Sequence, residues 1–298
     1  MLNAKFSVLL SLFRMGNACT KSLQRCVQST TDLVDWHHLI SVLSYLDSKG
    51  AFKSNTTKEI FLRNWHSTEQ YCQQCQEMGI HIVPWYEKVF PQSLLLLSNP
   101  PIFLFIQGDI NILDFSQSLS FVGGRNVSSF LMNVALRMST VCAEQNYIIV
   151  SGLAQGCDTA AHNGCLQGRG KTIAVIPHGL GMPIYPATNA NLAMHIKEMG
   201  GCLLSEFDIF APPQKKTFLQ RNRIIAALGS AMILVYGIQK SGSASSIRYA
   251  RTLAKPVGFY WSASMQKDVS CLNYQLWKNG MGEAIQNKAE LDVFLHHV

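Results

Sequence analysis

The segment 146–162, NYIIVSGLAQGCDTAAH, has the residue types and spacing of an anion site. An apolar run at 147–150 leads into the turn Ser151-Gly152-Leu153-Ala154-Gln155-Gly156, and the pattern predicts a helix from Cys157. A turn of this kind aims backbone N–H groups and the positive end of a helix at one point, which suits a phosphate. A strand can also join a helix through such a turn and bind nothing, so its neighbours carry the decision. Asp158 and His162, four residues apart on one predicted helix face, could be drawn as an acid/base pair. No second carboxylate or nucleophile accompanies them, and an aspartate in a first turn suits the helix dipole on its own account. They are read here as structural support for the turn, with His162 hydrogen-bonding Asp158 or nearby backbone, and no catalytic residue is assigned.

Three further strand ends have a similar texture. Val122-Gly123-Gly124-Arg125 combines two glycines with a guanidinium fork suited to phosphate. Pro177-His178-Gly179-Leu180-Gly181 is closed by Tyr185-Pro186, and an apolar run at 232–236 leads through Gly237 to Lys240-Ser241-Gly242-Ser243. In the stretch FLQRNRII, Phe218 precedes Arg221, Asn222 and Arg223, which the pattern places at the start of a helix over 222–228. Arginine is mildly unfavourable at a helix N-terminus unless an anion sits there. Glu206 is read as orienting a nearby loop or arginine, and Phe218 as a stacking residue or a core residue.

The elements that must position these turns alternate as in a parallel sheet. Apolar strands are expected at 119–122, 147–150, 172–176, 201–204, 232–236 and 257–260, with helices at 128–144, 157–167, 189–199, 222–228 and 244–254. This is a doubly wound α/β fold, whose ligands belong at the carboxyl ends of the strands. Residues 1–79 read instead as a helical accessory domain, with helices at 2–13, 20–26, 36–48 and 57–78, and 80–298 as the α/β domain ending in a short helical tail.

Charge points to the partner. The chain has 298 residues and a formal net charge of +7. Between Ile209 and Lys267 there is no Asp or Glu, while Lys215, Lys216, Arg221, Arg223, Lys240, Arg248, Arg251, Lys255 and Lys267 all fall in that window. A region of one sign is an electrostatic footprint for a polyanion, provided the fold does not scatter it. No apolar run approaches the length of a membrane span, and 6–13 reads as an amphipathic helix. Nine scattered cysteines with one close pair, Cys72 and Cys75, suggest reduced structural thiols in a cytoplasmic protein, with no metal site and no cofactor.

Taken in order, VGGR, SGLAQGCDTAAH, the GL…YP stretch, Ser205-Glu206, FLQRNRIIAAL and Ser241–Ser243 closely resemble the DprA/Smf family of bacterial DNA-processing proteins over about 80–260. The resemblance implies an extended Rossmann fold, usually homodimeric, that binds and protects single-stranded DNA and loads the RecA recombinase in natural transformation. Its DNA-contacting positions would be Gly123 to Arg125, Ser151 to Gly156, Gly179-Leu180, Arg221 to Arg223 and Ser241 to Ser243, with Lys215, Lys216, Phe218 and Lys240 beside them. Replacing Arg125, or Arg221 together with Arg223, by alanine is expected to weaken that binding without unfolding the protein. Gly124 stands where the family has a serine, Tyr236 replaces an acidic residue, and the family's C-terminal winged helix is not expected in this chain. The alternative is a nucleotide-binding or nucleotide-hydrolysing Rossmann protein of the phosphoribohydrolase type.

Overall fold

A computed structural model describes residues 4–15, 55–114 and 117–298, which divide into two compact units, Met1–Pro84 and Trp85–Val298. The helices expected at 20–26 and 36–48 lie outside the described residues.

In the first unit, α1 (Ala4–Phe13) buries Val8, Leu9, Leu10 and Leu12. The single helix expected over 57–78 is two, α2 (Asn55–His66) and α3 (Thr68–Glu77), followed by β1 (Ile80–Pro84). The break falls at Ser67, where the hydroxyls of Ser67 and Thr68 both donate to the Asn64 carbonyl, at 3.2 and 2.8 Å. Such local bonds compete with the helical ladder.

The second unit is the doubly wound α/β domain. Its strands are β2 (Phe103–Gly108), β3 (Ser118–Val122), β4 (Ile148–Ser151), β5 (Thr172–Val175), β6 (Cys202–Ser205), β7 (Ala231–Leu234), β8 (Val257–Tyr260) and β9 (Glu283–Ile285). They lie in the order β2-β6-β5-β4-β3-β7-β8-β9. Only β2 runs antiparallel to its neighbour in this set. The central strands are buried along their whole length, which is why TIAV and AMIL read as near-continuous apolar runs, while SLSFV carries two buried serines, Ser118 and Ser120. The three-residue β9 was not legible: the tail contains helices α9 (Leu272–Lys278) and α10 (Lys288–His296), with β9 pairing parallel to β8 between them.

Helices α4 (Ser129–Glu144), α5 (Cys157–Gln167), α6 (Ala190–Glu198), α7 (Lys215–Leu228) and α8 (Gly242–Thr252) connect the strands. Ser128 caps α4 and Ser241 caps α8, each accepting a backbone N–H at 3.3 Å. The largest revision concerns α7, which begins at Lys215 and not at Asn222. Gln214 and Thr217 close a capping box there, and Ser118 and Ser120 fasten the helix to β3 by donating to Leu228 and Ile225 carbonyls. Arg221, Asn222 and Arg223 therefore sit in mid-helix, and an unfavourable dipole at a helix start has no part in their placement.

The chain builds β3 to β6 to one side and then returns to add β7 against β3, with Leu119 opposite both Ile149 and Ala231. The carboxyl ends of β3, β4 and β7 thus flank the point where the winding reverses, which in open α/β sheets leaves a crevice for ligands.

Candidate functional site

A groove of about 630 Å³ occupies that crevice. Gly123, Gly124 and Arg125 follow β3, Ala154 lies in the β4–α5 turn and Asp158 in the first turn of α5, and Ser241 caps α8, which opens with Gly242 and Ser243. Helix α7 supplies Lys215, Phe218, Leu219, Arg221, Asn222 and Ile225 at intervals of three and four, so one face of the helix forms a wall. The turns are tied together. The Gly124 N–H donates to the Tyr236 carbonyl at 2.8 Å, Asn222 Nδ2 donates to the Gly242 carbonyl at 3.1 Å, and the Ser241 and Ser243 hydroxyls lie 2.8 Å apart.

Other expected residues lie behind or beside the groove. Ser151, Gly152 and Leu153 are buried, as are Gly179 and Leu180. The Ser151 hydroxyl donates to the Phe121 carbonyl at 2.7 Å, and the Gly179 and Gly181 N–H groups donate to Ala211 and Ile209 carbonyls at 2.9 and 2.8 Å. In the turn after β4, Ala154 N–H donates to Asp158, Cys157 N–H to Gly124 and Thr159 N–H to Ala154. Gly156, at φ +78, packs so tightly that an added Cβ would lie 2.4 Å from the Arg125 carbonyl. That turn therefore uses much of its donor capacity to lock itself against β3. Gln155, Lys216 and Lys240 are exposed but do not line the groove.

The arginines divide sharply. Arg125 is exposed, with its guanidinium carbon 5.0 Å from the Phe218 ring centroid. Arg221 is 4 % exposed, and its Nη1 donates to the Gly152 carbonyl at 2.5 Å and to the Val175 carbonyl. Arg223 is buried in an ion pair with Glu206, so Glu206 holds an arginine as expected but takes that arginine away from the surface. Burial pushes the Glu206 carboxyl up, against the opposing charge of Arg223. Alanine at 221 and 223 would remove a buried guanidinium bonded to two backbone carbonyls and break the buried Arg223–Glu206 pair, so the double change should cost stability, against the expectation that it leaves the fold intact.

The basic window is likewise redistributed. Two of its arginines are interior, and Lys255 donates to the carbonyls of Ala227 and Gly229 at the C-terminal end of α7. Burial holds the Lys255 ammonium down at about 8. What faces the groove is a smaller set: Arg125 and Lys215, with Arg221 beneath. The charges of Arg125 and Asp158 both reach Arg221, the first lowering its pKa and the second raising it, while burial lowers it most. A second cation beside a buried one is a setting in which an incoming anion is stabilised.

Asp158 and His162 do not bond each other. Asp158 accepts from Ala154 N–H at 3.3 Å, and burial pushes its carboxyl up despite the charge of Arg221. His162 is fully buried, with Nδ1 2.7 Å from the Thr172 hydroxyl. Thr172 donates its own proton to the Ile149 carbonyl at 2.7 Å, so its oxygen must accept from His162 and the imidazole carries its proton on Nδ1. Nε2 is left buried without a partner. Charging the ring would place an unpaired N–H there, and burial first, then the charge of Arg221, lowers the pKa from 6.5 to about 3. The unfolded chain therefore binds the proton that the folded chain refuses. The contribution is full above about pH 6.5 and is lost as pH falls toward 3, on the order of 5 kcal/mol in all. Urea midpoints should fall between pH 7.5 and 5, and fall less in His162→Asn; identical profiles for the two proteins would count against this assignment.

The sequence marks Tyr185 only as closing a loop, whereas in the structure it lines the groove with its ring in a T-shaped contact with Phe218, centroids 5.5 Å apart. Leu219 and Tyr236 line it as well. The helical spacing from Lys215 would have flagged Leu219 had the start of α7 been placed correctly. Among the described residues no cluster of His, Cys, Asp or Glu is arranged to hold a metal ion, and neither Cys72 nor Cys75 is disulfide-bonded. No described helix is long and apolar enough to cross a membrane.

A doubly wound, mostly parallel sheet with flanking helices and a crevice at its switch point defines a Rossmann-like α/β protein. The model of the DNA recombination-mediator protein A family matches residues 81–295, and the chain belongs to that DprA/Smf family. It is 37% identical over 168 residues to the DNA processing protein DprA of Bacillus subtilis, covering 56% of each chain. With the Smf protein of Synechocystis it shares 30% identity over 220 residues, 72% of this chain and 55% of the other. The chain spans about half the length of these curated relatives. Among solved structures, DNA processing protein A of Helicobacter pylori, characterised for its single-stranded DNA binding mode, aligns at TM-score 0.64 and 28% identity over 73% of this chain and 94% of that one. DprA of Streptococcus pneumoniae aligns at TM-score 0.76 and 24% identity over 98% of both chains, a likeness of fold.

Proposed function

We propose that this chain binds single-stranded DNA in the groove between Arg125, α7 and the Ser241–Ser243 turn, acting as a non-enzymatic, homodimeric mediator in the cytoplasm that protects the strand and hands it to a RecA-type recombinase. The observation that carries the reading is one face of α7 presenting Lys215 and Phe218 beside Arg125, a cation pair with an aromatic ring between the polar turns. Single strands are held in this way, by cations that follow phosphates and rings that meet bases, with little sequence preference. The Helicobacter relative's binding of single-stranded DNA and the family membership support it. Asp158 is held between its own turn and Arg221, an arrangement that favours a structural part over a hydrolytic one.

Affinity for a dT oligomer should fall steeply with salt, log K against log concentration having a slope of about −0.7 for each phosphate neutralised, and duplex DNA should bind more weakly. Fluorescence anisotropy measures both. A flat salt response, or release of free base from a nucleotide incubation, refutes the reading. Order-of-addition strand-exchange assays with RecA test the handover.

A further inference from the structure

We infer that Tyr185 is a preorganised stacking platform for one unpaired base at the mouth of the groove, an inference that rests on the single-strand reading above. Tyr185 is 47% exposed although the loop that carries it is firmly anchored. Its backbone N–H donates to Nε2 of buried His178 at 3.3 Å, and His178 Nδ1 lies 2.9 Å from the Gly179 carbonyl. Because that carbonyl can only accept, Nδ1 carries the proton and Nε2 is free to receive the Tyr185 N–H. The Ser205 hydroxyl fixes the His178 carbonyl at 2.7 Å, and Gly179 and Gly181 are bonded to the chain at 209–211.

The ring itself rests edge-on against Phe218, whose face is taken by Arg125. Phe218 is thus engaged by a guanidinium over its ring and by a T-shaped contact with the phenol, whereas Tyr185 presents nearly half its surface to solvent on the groove lining. An exposed aromatic whose backbone is held by a buried histidine and whose ring leans on Phe218 has already lost part of the freedom that stacking would otherwise cost. Arg125 and Lys215 provide for phosphate, and Tyr185 provides for the base attached to it. Any base offers a π face, so the platform adds affinity without sequence preference.

The test compares a dT oligomer with an oligomer of the same length built of abasic sites, bound to the wild-type protein, Tyr185→Ala and Tyr185→Trp across a salt series. The wild type should prefer dT, and Tyr185→Ala should lose on the order of 5- to 100-fold for dT with little change for the abasic strand. Its salt slope should be unchanged, since no phosphate contact is removed. Tyr185→Trp should retain the preference. A Tyr185→Ala protein with the wild-type dT-to-abasic ratio overturns the platform, as does an equal loss on both strands. If the wild type binds neither strand, the single-strand reading itself fails, and wild-type binding to both strands alike sinks the platform alone.

Discussion

Arg221→Ala lowers the urea midpoint of unfolding by an amount equivalent to about 3–6 kcal/mol, from two hydrogen bonds of a buried guanidinium at roughly 1.5–3 kcal/mol each. Two carbonyls, of Gly152 and Val175, lose the Nη1 that ties the β4 turn to the end of β5. Asp158, whose carboxyl is already pushed up by burial, loses the cation that opposes the shift. Arg221→Lys keeps the charge but cannot reproduce the fork, so it should recover only part of the loss. Gly152→Ala should act in the same direction, because a Cβ there would lie 2.1 Å from the Arg221 guanidinium. Equilibrium unfolding at pH 7.5 decides the matter: a midpoint for Arg221→Ala within about 0.5 kcal/mol of wild type means the arginine is not structural.

The double variant Arg125→Ala/Lys215→Ala has the opposite profile. Both residues are exposed and line the groove. Their loss should leave stability within about 0.5 kcal/mol while weakening binding of a dT oligomer on the order of 100-fold at ~100 mM salt, from roughly 1–2 kcal/mol per charged contact. The slope of log K against log salt should become shallower by about 1.4, two phosphates' worth. Affinity preserved with an unchanged slope would place the strand elsewhere on the molecule. Set beside Arg221→Ala, this pair separates a cation that builds the groove from cations that serve it.

The difference between those arginines explains what could be read from the chain. Strands such as TIAV and AMIL and the glycine-rich turns after them announce themselves locally, because a strand buried on both faces must be apolar and a tight turn needs small residues. The tail was less legible, since the three residues of β9 carry too short a pattern to signal a strand. The start of α7 is not legible because its first turns, KKTFLQ, are polar and resemble a surface loop. With the helix starting at Asn222, Arg221 to Arg223 read as DNA-contacting residues at its N-terminus, whereas α7 from Lys215 buries both arginines.

By itself the sequence determined the doubly wound sheet, the four turns at its carboxyl edge and the family, since each depends on neighbours a few residues apart. Only the tertiary structure decided which donors and cations meet solvent. Helical phase from Lys215 puts Lys215, Phe218 and Asn222 on the groove and turns Arg223 toward Glu206, while packing over the sheet covers Arg221. Facing and burial are set by contacts between segments as distant as residues 152, 175 and 221, and no local spacing encodes them.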